Sequence, residues 1–98
     1  MERLVNVYIG PSCPEFTTKA TAIKPGMECT IAHPNDRYAA TVKDVAPSGA
    51  YVIVERNGER RKFTWRKGRS DVGHFAQPGS WSPTLILGVA EDYLSPDI

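Results

Sequence analysis

The side chains best equipped for chemistry in this chain lie in residues 56–69, RNGERRKFTWRKGR. Arg56, Arg60, Arg61, Lys62, Arg66, Lys67 and Arg69 stand there against one acid, Glu59. A guanidinium presents a planar fork of donors that matches a phosphate bidentately, so the chemistry such a run offers is anion binding. The chain holds 12 bases and 11 acids, a formal net charge of +1; the run takes seven of the bases and one of the acids, leaving five bases and ten acids elsewhere. A general nucleic-acid coat would be basic throughout. One basic element in an acidic body points to a localised anion site, or to a charge-complementary contact within or between subunits. The plainer account is a solvated strand face with local pairs such as Glu55–Arg60, worth about 0–1 kcal/mol each.

Two further groups could serve the same chemistry. In HPNDRYAATV (33–42), Asp36 and its neighbours form a turn, and Arg37 and Tyr38 then simply open a strand. In the functional alternative, Arg37 sits at a strand mouth with Tyr38 as an aromatic platform, while Asp36 orients Arg37 or accepts ribose hydroxyls. Trp81, between Gly79 and Pro83, either plugs the core or lies over a ligand as a lid, with Ser80 and Ser82 beside it. The candidate ligand-binding set is therefore Asp36, Arg37, Tyr38, Tyr51, Arg60, Lys62, Arg66, Arg69 and Trp81.

Metal and catalytic chemistry have less to stand on. Cys13, Cys29, His33 and His74 follow the spacing C-x15-C-x3-H-x40-H, which fits no compact zinc pattern. No carboxylate pair flanks a histidine, and there is no nucleophile elbow or glycine-rich phosphate loop before a helix. Neither an enzyme, nor a cofactor, nor a bound metal is expected.

The elements that must position these residues read as β. Eight glycines and eight prolines punctuate the 98 residues, and no segment keeps a helical apolar period for three turns. Strands are expected over 3–10, 27–32, 37–46, 50–56, 59–66 and 84–90, with a short one near 72–75. Residues 11–26 read as irregular, with room for one helical turn in 14–22. The strongest local signal is Asn57-Gly58, which suits a two-residue type I′ turn. That turn pairs Val52 with Phe63, Ile53 with Lys62 and Glu55 with Arg60. Alternation then puts Arg60, Lys62, Thr64 and Arg66 on one face, flanked by Tyr51, and Arg61, Phe63 and Trp65 on the other. Part of the mixing of aromatics with charges is thus the in–out alternation of a strand. The fold expected is all-β: one small domain over 1–98, an SH3-like or partly open barrel of five to six short antiparallel strands.

The pieces NDRYAATV (35–42), FTWRKGR (63–69), LILG (85–88) and YLSPD (93–97) follow one another in a suggestive order. The chain in this respect resembles a group of small tailed-phage proteins with the layout D-R-x-A/G-T-V, F-x-x-R-K-x-G-R, L-x-x-G and a terminal Y-x-D-P. The likeness runs from about residue 27 to residue 98, each piece being short. Two departures stand out: no longer insertion inside the hairpin, and S-P-D in place of D-P. The group brings no activity of its own, but small phage proteins of this size resemble counter-defence factors, including sponges for nucleotide signals. The resemblance thus implies a viral, anti-defence setting.

Together these readings lead to a non-enzymatic sponge that sequesters a phosphorylated nucleotide signal in the host cytoplasm. The alternative is an interaction module for nucleic acid, or for a host nucleic-acid enzyme, using 56–69 as a basic ribbon. No apolar run approaches the roughly 18 residues that span a bilayer, so no membrane partner is expected, and two cysteines fit a reducing compartment. The acidic tail, 91–98, is expected to dock on a basic surface, preferably that of a neighbour in a homo-oligomer, a dimer first.

Overall fold

In a computed structural model the chain forms a single eight-stranded sheet. The structure describes residues 3–8, 15–34, 36–68, 72–78 and 83–90, with the backbone alone at 15 and 16. The strands are β1 (Leu4–Tyr8), β2 (Glu15–Lys19), β3 (Glu28–Ala32), β4 (Arg37–Val45), β5 (Tyr51–Arg56), β6 (Glu59–Lys67), β7 (Val72–Ala76) and β8 (Thr84–Leu87). A short 3₁₀ turn, Ala20–Ala22, follows β2.

The spatial order is β2-β1-β7-β6-β5-β4-β3-β8, and β8 returns to meet β1 and β7. Val7 pairs with Leu87, so the sheet closes on itself as a small barrel with β2 outside the ring. The all-β, barrel-like expectation therefore holds. The strand count is eight rather than five or six, and β1 joins β7 and β8 in parallel. Every other pairing among the described residues is antiparallel. The strand that sequence reasoning leaves as irregular is β2. It carries β-branched Thr17 and Thr18, and its whole length pairs with β1, from Leu4↔Lys19 to Tyr8↔Glu15.

The interior follows the alternation of each strand. Val5 and Val7, Cys29 and Ile31, Ala40 and Val42, Val52 and Val54, Phe63, Phe75, Leu85 and Leu87 make one buried cluster, which Ala20 and Ile23 join. Phe63 is fully buried opposite Val52. Trp65 is half-buried against the same cluster, and its indole N–H donates to the Leu4 carbonyl at 3.1 Å. Phe63 and Trp65 therefore face inward as expected, and Arg60, Lys62, Thr64 and Arg66 are all exposed on the opposite face.

The hairpin has the expected register throughout, from Tyr51↔Thr64 to Arg56↔Glu59. Asn57 and Gly58 take φ of 52° and 81°, the left-handed pair that a type I′ turn requires. A Cβ built at Gly58 meets nothing within 4 Å, so a side chain there is opposed by the backbone conformation alone. Gly58→Val should cost about 1–3 kcal/mol, since a β-branched residue is strongly disfavoured at positive φ. Urea denaturation measures this; an unchanged midpoint would mean that the turn is not the one described.

Candidate functional site

The outer face of β5 and β6 holds four of the candidate residues together. Arg60 lies across from Glu55, Lys62 from Ile53, and Thr64 from Tyr51. Further along β6, Arg66 lies across from His74 of β7, which is also exposed. At about 3.3 Å per residue, Arg60, Lys62 and Arg66 form a line about 20 Å long. The cations stand in a row and do not converge on one point.

Two members of the row, Arg60 and Lys62, are modulated by neighbours. Arg60 Nε donates to Glu55 Oε2 at 3.3 Å, and Lys43 Nζ lies 3.5 Å from Glu55 Oε1. The Arg60 side chain remains 68% exposed, so the pair sits in high dielectric and is worth little. Lys62 Nζ lies 4.4 Å over the Tyr51 ring, a cation–π contact worth about 0.5–1 kcal/mol at an exposed site. The ring face of Tyr51 is thus covered by the neighbouring cation.

A second group gathers at one end of the barrel. Tyr38 pairs with Ile31 and packs against the core, whereas Arg37 beside it is exposed. Adjacent strand residues point to opposite faces, so the two do not form a joint platform. The Tyr38 hydroxyl donates to Asp36 Oδ2 at 3.5 Å, and His33 meets the ring edge-on with centroids 5.5 Å apart. Arg56 lies over the Tyr38 ring at 5.0 Å and donates from Nη1 to the Ala39 carbonyl at 2.8 Å. Arg69 and Trp81 lie outside the described residues.

Three participants escape the sequence-based set of site residues. Arg56 belongs to the basic run, yet its inward parity sends it to the barrel end. His33 suggests only a ligand or a base from its residue type, not a ring packed on Tyr38. Lys43 sits at the shift in register of β4 against β5 between Val42 and Asp44, and reaches Glu55, which pairs with Thr41 two residues before it.

Two clefts are lined by described residues. One, about 150 Å³, lies where β1, β7 and β8 meet and includes Asn6, Tyr8 and His74. The other, about 250 Å³, is a shallow groove over Ala39 and Thr41, bordered by Glu28, Glu55 and Arg56. Both are smaller than the roughly 300–1,000 Å³ usual for small-molecule sites. Neither is lined by Lys62 or Arg66.

Among the described residues, no three His, Cys, Asp or Glu side chains form a group that could hold a metal ion. Cys29 lies within the barrel core, and burial pushes its thiol from 9.0 up to about 12. The unfolded chain therefore releases this proton first as pH rises. The thiol's contribution to stability is fully present below about pH 9 and is lost as pH climbs towards 12. Denaturation of Cys29→Ala should show a shallower alkaline loss than the parent chain; an identical pH profile would contradict the burial. No helix of the described residues is long and apolar enough to cross a membrane.

Comparison with protein-family models, with curated proteins and with solved structures finds no match to this chain.

Proposed function

We propose that the protein is a non-catalytic binding module whose outer β5–β6 face takes the phosphate backbone of a nucleic acid. The observation that carries this is the line Arg60, Lys62 and Arg66, exposed on one strand face beside Tyr51. A row of cations about 20 Å long runs with a phosphate backbone, whose charges likewise follow one another in a line. A single compact nucleotide needs donors that converge. Stacking a base on Tyr51 would displace Lys62 from the ring, costing about 0.5–1 kcal/mol. Base–aromatic stacking returns about 1–3 kcal/mol and frees the ammonium for a phosphate. The balance favours a single strand with accessible bases.

A phosphorylated nucleotide, held without chemistry as a sponge would hold it, remains as a second reading. The contact of Arg56, Tyr38 and Asp36 at the barrel end favours it, because cation, ring and carboxylate converge there. A host-cytoplasmic, phage counter-defence setting, with a homodimer as the assembly, belongs to the proposal through the resemblance and the small size of the domain.

Fluorescence anisotropy separates the two readings. A labelled single strand of about 20 nucleotides should bind at low salt, with a log–log slope of about −0.7 for each phosphate neutralised. Tight binding of mono- or cyclic nucleotides, with little salt dependence and no binding of the strand, would put the second reading first.

A further inference from the structure

The outer face does not stop at the basic row. Arg66 lies across from His74 of β7, and beyond β7 the sheet continues to β1. There the wall of the barrel forks. β1 runs beside β7 at Leu4↔Val72 and Val5↔Gly73, then leaves it to meet β8 at Val7↔Leu87, while β7 and β8 meet at Ala76↔Thr84. The steps between these joints, Val5 to Val7, Gly73 to Ala76 and Thr84 to Leu87, are each about 7–10 Å long at strand rise and enclose a triangular gap. The cleft of about 150 Å³ occupies it. Alternation sorts the lining. Phe75, Leu85 and Leu87 belong to the buried cluster and form the floor, while Asn6, His74 and Ile86 face outward and form the rim. Tyr8 stands beside them, the exposed large apolar side chain of the described residues. From β2, on the other side of β1, the Thr17 hydroxyl donates to Asn6 Oδ1 at 2.9 Å. The carboxamide oxygen is thereby held towards β2, and its NH2 group is left on the side of β7 and the cleft. All of these belong to described strands, whereas the acidic tail, 91–98, lies outside the described residues.

We infer that this cleft takes one pyrimidine base, splayed from the single strand whose phosphates follow the basic row; the inference rests on the nucleic-acid reading above. Size comes first. An apolar cavity of about 150 Å³ holds a single six-membered ring, so a pyrimidine fits where the two fused rings of a purine do not. Chemistry agrees with size. The floor is apolar, as a ring face requires, and the polar groups stand at the rim, where the edge of a base carries its donors and acceptors. The Asn6 NH2 group can donate to a base carbonyl, and the His74 imidazole offers a donor or an acceptor beside it. Tyr8 adds an aromatic wall. Position is the third argument. The register Val5↔Gly73 sets Asn6 and His74, one residue further on, level with each other. At about 4.8 Å between strands, His74 stands one strand and Asn6 two strands from Arg66. A nucleic-acid strand held at Arg66 therefore crosses His74 to reach the cleft, and site and row are continuous. The two base contacts differ in kind: Tyr51 offers a ring face to any base, whereas the cleft selects by size.

Fluorescence anisotropy with labelled oligothymidine and oligoadenosine of equal length tests this on the full chain. Oligothymidine should bind about tenfold more tightly, the effect of one seated base. The flexibility of a pyrimidine strand also favours it, and filling the cleft separates the two causes. Ile86→Phe puts a ring at the rim and should cut the preference to about twofold while the salt slope stays that of the parent, because the row is intact. Asn6→Ala removes the donor without filling the cleft and should cut the preference about fivefold; it carries the test if Ile86→Phe misfolds. On addition of oligothymidine to the parent, the amide signals of Asn6, His74, Phe75 and Ile86 should shift together with those of β6. Binding with shifts confined to β5 and β6, or a preference that the folded variants retain in full, would overturn the cleft and leave the row standing. Binding of neither strand at low salt would overturn the nucleic-acid reading and the cleft with it.

Discussion

Gly88→Ala is expected to destabilise the protein by about 2–5 kcal/mol, the sum of about 1–2 for the backbone and about 1–3 for a forced overlap. Gly88 follows Leu87, whose pairing with Val7 closes the barrel, and it holds a φ of 95°. A Cβ there would overlap the Tyr8 carbonyl oxygen and come within 3.0 Å of both the Tyr8 nitrogen and Val7 Cγ1. Backbone atoms of a paired strand cannot swing aside as a side-chain tip can. Gly58 supplies the internal control, because it too has positive φ, 81°, but open space around it. Gly58→Ala should cost only about 1 kcal/mol, the conformational part alone. For a domain of this size, a loss of 1 kcal/mol lowers Tm by about 4–8 °C, so thermal melts of the two variants resolve the difference. Equal melting points for Gly88→Ala and Gly58→Ala would mean that β1 and β8 do not meet where described.

The contrast between the two glycines also marks what can be read from the sequence. Gly58 is legible because its role is local: Asn-Gly between two alternating runs dictates turn type, register and facing, and every pair follows. Gly88 is not, because its constraint comes from Tyr8, eighty residues away in the chain. The same holds for the parallel insertion of β1 against β7 and β8, which no local pattern encodes. β2 escapes because the prolines at 11, 14 and 25 dominate its surroundings, although five residues between them suffice for a strand. At the site, alternation correctly groups Arg60, Lys62 and Arg66 with Tyr51. The same rule separates Arg37 from Tyr38, since neighbouring residues on one strand face opposite ways. Arg56 can be found by extending the hairpin register one pair further, to Arg56↔Glu59, past the last inward residue. Lys43 cannot, because its contact with Glu55 depends on how β4 pairs with β5, which no local pattern in the chain specifies.

Replacing the row, with Arg60→Gln, Lys62→Gln and Arg66→Gln together, should weaken single-strand binding about a hundredfold, at about 1 kcal/mol for each charged hydrogen bond to phosphate that is removed. The log–log salt slope should fall in magnitude by about 2, three phosphates at about 0.7 each. Folding should be almost untouched. The three side chains are exposed on the outer face, and the interactions removed are a solvent-screened pair with Glu55 and a cation–π contact with Tyr51. Glutamine keeps the length and some of the hydrogen-bonding capacity, so the weakening reports charge and not shape. The charge interpretation has a built-in check. The variant should approach the parent's affinity as salt rises, because the missing contribution is the one that counterions compete for. A nucleotide held at Tyr38 and Arg56 would not respond in this way, since neither residue lies on the outer row. Its binding should survive the triple substitution and fail with Tyr38→Ala, checked for folding by circular dichroism. Strand affinity within about threefold of the parent, at low salt and with the parent's slope, would remove the outer face of β6 from the function.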